Sequence, residues 1–234
     1  SRAMATMTSF VKMHGLSNDF VVVDGPIDPD PAEVRAMCDR RTGIGADGLL
    51  AVSRGTSGGA IRMQYWNADG STAEMCGNGL RCVVRYGVDH ALVEAGEFTV
   101  ETPIGLKAVR VLADGDISVD LGPVRVHQST IELHGRPWCT VDVGNPHAVI
   151  EVDDVAAAEV DPIGRRLDAG VPGGINTGFM AISDGAITLR VHERGVGETL
   201  ACGTGACAAV AVGRRQDLLE DRVRVSLPGG DLVV

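Results

Sequence analysis

The chain repeats itself, and the repeat limits what it can fold into. Ile61-Arg-Met-Gln-Tyr-Trp-Asn67 is followed nine residues on by Cys76-Gly-Asn-Gly79, and Ile187-Thr-Leu-Arg-Val-His-Glu193 is followed nine residues on by Cys202-Gly-Thr-Gly205. The two stretches align without a gap at a spacing of 126 residues. Ile61, Met63 and Tyr65 alternate with their neighbours as Ile187, Leu189 and Val191 do, the pattern of a half-buried strand. Each C-G-x-G then opens a segment suited to a helix. Leu80, Val83, Val84 and Val88 fall on one helical face, and Ala206 to Val212 is a run of small apolar residues suited to a helix buried on several sides. A fainter match at a spacing of 127 sets Asn18-Asp-Phe20 before Val21-Val-Val23 and Asn145-Pro-His147 before Ala148-Val-Ile150. Two matches in one order at nearly one spacing read as a duplicated domain, since the period is far too long for a solenoid.

The 234 residues suit two such domains of about 115 residues each. The turn-like cluster Ala113-Asp-Gly-Asp116 places the boundary, giving an N-terminal domain over 1–113 and a C-terminal domain over 114–234. Further strands are expected at Glu97 to Glu101, Leu106 to Leu112, Ile117 to Leu121 and Arg222 to Leu227. The expected class is α+β, with a helix in each half packed against a mixed sheet. Apolar residues supply 44% of the chain but aromatics only 3%, so the cores must be built from Val, Leu, Ile and Ala.

A net charge of −10 argues against a nucleic-acid or anionic-membrane surface. No apolar run approaches the ~20 residues of a membrane span. Ser1-Arg-Ala-Met4 lacks the apolar core of a signal peptide and reads as an expression remnant before a start Met. Six cysteines without an export signal read as reduced, cytoplasmic thiols. Lys12 and Lys107 are the only lysines, which disfavours pyridoxal phosphate, a cofactor held through a lysine Schiff base.

A helix N-terminus presents unpaired N–H groups and a partial positive charge. Glycines there let a ligand approach the backbone, and the same field favours a thiolate. Each C-G-x-G unit therefore offers a reactive sulfur and a seat for an anion. Two such units on opposite faces of one carbon could invert it, one thiolate removing a proton and the other thiol returning one. Cys38, Cys82, Cys139 and Cys207 lack this context and read as small buried hydrophobes. The spacings Cys76/Cys82 and Cys202/Cys207 do not match a zinc knuckle, so no metal is expected. Gly43-Ile-Gly-Ala-Asp-Gly48 is a literal G-x-G-x-x-G, but Val34 to Arg41 before it is helical in pattern and Leu49 to Val52 after it is extended. That is the wrong order for a dinucleotide site.

At these residues the sequence closely resembles the diaminopimelate epimerase family. The matching stretches are Met13-His-Gly-Leu-Ser-Asn-Asp-Phe20, Asn67-Ala-Asp-Gly70, Cys76-Gly-Asn-Gly79 with Arg81, Gly144-Asn-Pro-His147, His192-Glu-Arg-Gly195, Gly197-Glu-Thr199, Ala201-Cys-Gly-Thr-Gly205 and Pro228-Gly-Gly230. The resemblance implies interconversion of LL- and meso-2,6-diaminopimelate without cofactor, and two pseudo-symmetric domains, each a mixed, mostly antiparallel sheet wrapped around a central helix. It implies Cys76 as proton donor and Cys202 as acceptor for the LL substrate, with His147 and Glu193 adjusting the thiols. It also implies a substrate carboxylate on the N–H groups of Gly77, Asn78, Gly203 and Thr204. Asn67, Asn145, Asn176, Glu193 and Arg194 would hold the distal amino-acid group, and Asn18 would lie near the reacting end. The partner implied is a small amino acid, with a homodimer left open.

Asn67 and Asn145 have a plainer alternative as turn residues, and Glu193 as a surface carboxylate. Many family members carry a substrate-contacting Gln where this chain has Gly48, so that contact is not expected. Members usually continue for some tens of residues beyond Pro-Gly-Gly and return to the first domain, a segment not expected here. Two rival functions remain: a cofactor-independent racemase for another amino acid, such as proline, hydroxyproline or histidine, and a thiol redox or binding protein without catalysis.

Overall fold

The structure, a computed structural model, describes residues 9–73, 75–133 and 136–234, and within 128–137 the backbone alone. Ser1-Arg-Ala-Met4 lies outside the described residues. The chain divides into two compact units, Ser1–Asp120 and Leu121–Val234.

The first unit runs β1 (Val11–Gly15), β2 (Asn18–Asp24), α1 (Pro31–Cys38), β3 (Gly48–Arg54), β4 (Ile61–Asn67), α2 (Gly77–Asp89), β5 (Glu97–Thr102), β6 (Gly105–Val111) and β7 (Ile117–Val119). Its seven strands lie side by side in chain order. Neighbours are antiparallel except for β2 with β3 and β4 with β5, the two places where a helix makes the crossover. Parallel neighbours need such a crossover. Strands from both ends of the sheet, β1 and β7, touch α2, so the sheet wraps around that helix. The turn at Ala113–Asp116 joins β6 to β7 inside this unit.

The second unit runs β8 (Arg125–Leu133), β9 (Arg136–Asp142), β10 (Pro146–Glu151), α3 (Val160–Gly170), β11 (Asn176–Ser183), β12 (Ala186–Glu193), β13 (Gly197–Thr199), α4 (Gly203–Arg215), β14 (Arg224–Leu227) and β15 (Gly230–Val233). The order across the sheet is β15-β14-β12-β11-β10-β9-β8, with β13 on β12. The parallel pairs are again the two spanned by helices, β10 with β11 and β12 with β14. The second unit thus repeats the path of the first, as the duplicated motif requires. The expected α+β class with sheets around central helices is borne out.

Composition explains the two central helices. Around α2 pack Phe20, Val22, Leu50, Ile61, Met63, Leu80, Val83, Val84 and Val100, all buried. Around α4 the core is Met180, Ile187, Leu189, Val191, Ala206, Ala208, Ala209, Val210 and Val225. Alanine faces let a sheet close tightly on a helix where aromatic bulk is scarce. The literal G-x-G-x-x-G follows α1 and ends on the first residue of β3, opposite to the strand-then-helix order of a dinucleotide site. No helix among the described residues is long and apolar enough to cross a membrane.

Candidate active site

In each unit the strand of the repeat ends on its polar residue, Asn67 closing β4 and Glu193 closing β12. The cysteine then caps the central helix. Cys76 is the N-cap of α2 and Cys202 the N-cap of α4, both with extended backbone. Gly77 and Gly203 are the first helical residues. A Cβ on Gly203 would meet nothing within 4 Å, and one on Gly77 only Arg81 Nη1 at 4.0 Å. No side chain other than Arg81 crowds either glycine, so a ligand can approach the backbone there. Gly205 leaves room for the sulfur itself, since a Cβ there would lie 3.3 Å from Cys202 Sγ.

In the first unit Cys76 Sγ donates to Asn18 Oδ1 at 3.3 Å, and Asn78 Nδ2 donates to the same oxygen at 3.5 Å. Asn18 is held in turn, its Nδ2 donating to Asp47 Oδ2 at 2.8 Å. Arg40 bridges Asp47 and Asp19, and Lys12 pairs with Asp19 at 2.8 Å. Burial pushes the Asp19 carboxyl up, but the Arg40 and Lys12 bonds outweigh it and hold the group well below the ordinary range. The base of the Asn18 strand is thus fixed by ion pairs. Asn67 is used in a turn: its Nδ2 donates to Ser71 Oγ at 3.0 Å. The plainer alternative for Asn67 describes its contacts here.

In the second unit five sequence-derived candidates meet: Asn145, His147, Glu193, Cys202 and Thr204. His147 Nε2 lies 3.0 Å from Thr204 Oγ1 and 3.2 Å from Asn145 Oδ1. Asn145 Nδ2 donates to Thr204 at 3.4 Å, and Thr204 Oγ1 is 3.5 Å from Cys202 Sγ. Cys202 Sγ also accepts from the Gly205 N–H at 3.4 Å. Glu193 hydrogen bonds with Cys202 on another side, and Thr199 Oγ1 donates to its carboxylate at 2.6 Å. Burial raises the Glu193 pKa, and the bonds from Thr199 and Cys202 partly offset the rise. Glu193 is no plain surface carboxylate.

His147 is fully buried, and its Nδ1 has no partner among the described residues. Burial, with the Arg194 charge adding to it, lowers its pKa to about 4, so it is a neutral imidazole at neutral pH. Between the ordinary value of 6.5 and about 4 the unfolded chain takes up a proton that the folded one refuses. Stability is complete above pH 6.5 and lost as the pH falls, by about 3 kcal/mol from this group. Glu193 acts the opposite way, because a raised pKa favours the folded state as acid is added. We expect resistance to chemical denaturation to fall between pH 7 and pH 4.5, and His147→Gln to flatten that dependence. An equally steep profile in the variant would assign the acid sensitivity elsewhere.

Asn176 and Arg194 form a second cluster in this unit. Asn176 Oδ1 accepts the Arg194 N–H at 3.0 Å, and its Nδ2 donates to the Pro146 carbonyl at 2.9 Å. The Arg194 guanidinium reaches the Gly173 carbonyl at 3.1 Å. Asn176 is buried and uses its amide to set the loop that carries Arg194. Asp168 completes that loop by accepting from the N–H groups of Ile175 and Gly195. Gly48 opens β3 opposite Phe20, as Asn176 opens β11 opposite His147. A Cβ at Gly48 would lie 2.6 Å from the Trp66 carbonyl oxygen, so a longer side chain has no room there.

Sequence reasoning missed Thr199 and Asp47, which bond directly to Glu193 and Asn18, and Asp168, which holds the residues beside Asn176 and Arg194. Thr199 stood within the family stretch Gly197-Glu-Thr199, its only sequence signal. Asp47 and Asp168 act across 29 and 7 residues of chain, and no spacing rule marks them. Among the described residues no group of three or more His, Cys, Asp or Glu is placed to hold a metal ion.

Two sheet-around-helix units, each capping its central helix with a cysteine, define a duplicated fold shared with solved structures. A PhzF-family phenazine biosynthesis protein from Bacillus anthracis superposes with a TM-score of 0.72 at 14% identity, covering 96% of this chain and 87% of its own. A hydroxyproline epimerase from Agrobacterium vitis gives 0.68 at 16%, covering 96% and 82%. At such identities the likeness speaks for the fold. The diaminopimelate epimerase family model matches residues 10–127 and 139–234. The diaminopimelate epimerase of Thioalkalivibrio sulfidiphilus is 44% identical over 248 residues, 96% of this chain and 89% of the relative. The chain belongs to the diaminopimelate epimerase family.

Proposed function

We propose that the protein converts LL-2,6-diaminopimelate to the meso form by proton transfer between two thiols, without a cofactor. The observation that carries this reading is the duplicate placement of a cysteine as N-cap of the helix each sheet encloses. Cys202 takes the α-proton of the LL substrate and Cys76 returns one to the other face, the roles exchanging in reverse. The N–H groups of Gly77, Asn78, Gly203 and Thr204 receive the α-carboxylate and offset charge building up on the carbanion. His147 and Glu193 govern the protonation of Cys202. A neutral His147 adds no charge, and the raised pKa of Glu193 makes it a better proton acceptor for the thiol than an ordinary carboxylate.

Arg194 offers a planar fork to the distal carboxylate, with Asn67, Asn145 and Asn176 setting the pocket around it and Asn18 near the reacting end. The product feeds lysine and peptidoglycan precursor synthesis. The setting is cytoplasmic, where thiols stay reduced, and the assembly a homodimer. Reduced protein is expected to convert LL-diaminopimelate to an LL/meso mixture on chiral chromatography while leaving L-proline, trans-4-hydroxy-L-proline and L-histidine unchanged. Turnover of one of those three with none of diaminopimelate would replace the substrate and keep the chemistry.

A further inference from the structure

The two units carry the same helix start but different charges behind it. At the repeat spacing, Arg81 on α2 corresponds to Cys207 on α4, Phe20 to His147 and Asn67 to Glu193. Burial pushes the Cys207 thiol up to about 11, so it stays neutral. The second unit therefore surrounds its N-cap cysteine with an imidazole and a carboxylate, and the first with a guanidinium.

That guanidinium is in an unusual place. Side chains on a helix lean toward its N-terminus, and Arg81 follows the rule: Nη2 donates to Asn78 Oδ1 at 2.6 Å, while Nη1 lies 4.0 Å from the Cβ position of Gly77. A cation so close to the positive end of a helix dipole is unfavourable unless an anion sits there. No carboxylate among the described residues pairs with Arg81. Burial lowers its pKa, and only the thiols of Cys76 and Cys82 pull it back. The Cys82 thiol is pushed up to about 12 by burial and stays neutral, which leaves Cys76. Arg81 also steers the amide of Asn78, whose Nδ2 points to the Asn18 oxygen that receives the Cys76 thiol. On the other side of Asn18, Asp47, Asp19, Arg40 and Lys12 form their own charge-paired group.

We infer that Arg81 is a positioning residue of the first half-site, stabilising the thiolate left on Cys76 after proton transfer and orienting Asn78 in the anion seat. Its role in turnover rests on the proposed two-thiol reaction. Its effect on Cys76 does not, which separates the two tests. Iodoacetamide alkylation of Cys76, followed by fragment-ion mass spectrometry across pH in the substrate-free full chain, reads the thiolate directly. Removing the charge in Arg81→Met should raise the alkylation midpoint by about one pH unit. Arg81→Gln, which can keep the bond to Asn78, should do the same, whereas Arg81→Lys should stay near the wild type. Turnover in both directions should fall about tenfold in the Met and Gln variants and recover largely in the Lys variant. A midpoint unmoved in both uncharged variants, or moved as far in Arg81→Lys, would overturn the inference. A wild type inactive on diaminopimelate with the midpoint shift intact would refute the proposed substrate and leave Arg81's electrostatic role standing.

Discussion

Cys76→Ala and Cys202→Ala should each abolish epimerisation, lowering kcat by at least about 10³-fold in both directions. One acid–base group is ordinarily worth 10²–10⁴-fold, and in the proposed reaction nothing else can supply or take the proton on the lost side. Truncation removes side-chain bonds of the site and little of the core: Cys76 gives up its bond to Asn18 at 3.3 Å, and Cys202 gives up its contacts with the Gly205 N–H at 3.4 Å, Thr204 at 3.5 Å and Glu193. Near-native denaturation midpoints with abolished turnover are therefore expected. Turnover within tenfold of the wild type in either variant would refute the two-thiol mechanism. Cys139→Ala is a useful contrast, because Cys139 only packs at the edge of the α4 core and its loss should leave turnover intact.

Gly164→Ala should be the most damaging single methyl in the second unit. A Cβ at Gly164 on α3 would lie 2.2 Å from Cγ and 2.4 Å from Cβ of His192. His192 cannot yield easily, since it is buried on β12 and its Nδ1 is tied to Asp161 Oδ1 at 3.0 Å. The same Asp161 oxygen accepts the Glu198 N–H at 2.9 Å, so a shift of the ring disturbs β13 as well. Alanine in place of glycine favours a helix by about 1 kcal/mol. Overpacking against an anchored side chain costs about 3 kcal/mol, so a net loss of about 2 kcal/mol is expected in chemical denaturation. Gly170→Ala in the same helix meets nothing within 4 Å and should be neutral or slightly stabilising. Equal midpoints for the two variants would contradict the packing described for α3.

The repeat made much of this fold legible. Alternating residues before each Cys-Gly predicted β4 and β12, and the glycines after each cysteine predicted the starts of α2 and α4, all of which the structure contains. The helical pattern before Gly43 and the extended one after Gly48 likewise correspond to α1 and β3. Contacts that depend on tertiary approach were less visible. His147 and Asn145 meet Thr204 across more than fifty residues of chain, and periodicity carries no record of such a meeting. The alternative for Asn67 as a turn residue was legible because a turn is local, and its bond to Ser71 spans four residues. Arg81 was visible as a family match without a role, since a lone arginine in an apolar helix face looks like a solvated end. Only its place over Gly77 gives it meaning.

In the proposed reaction one thiol removes the α-proton while a different one, in exchange with solvent, returns a proton to the opposite face. Its most direct test is early turnover of LL-diaminopimelate in heavy water, with NMR and mass analysis of both product and recovered substrate. Meso product should carry one deuterium at a single α-carbon while recovered LL substrate is still unlabelled. Meso product that retains its original α-proton would contradict it.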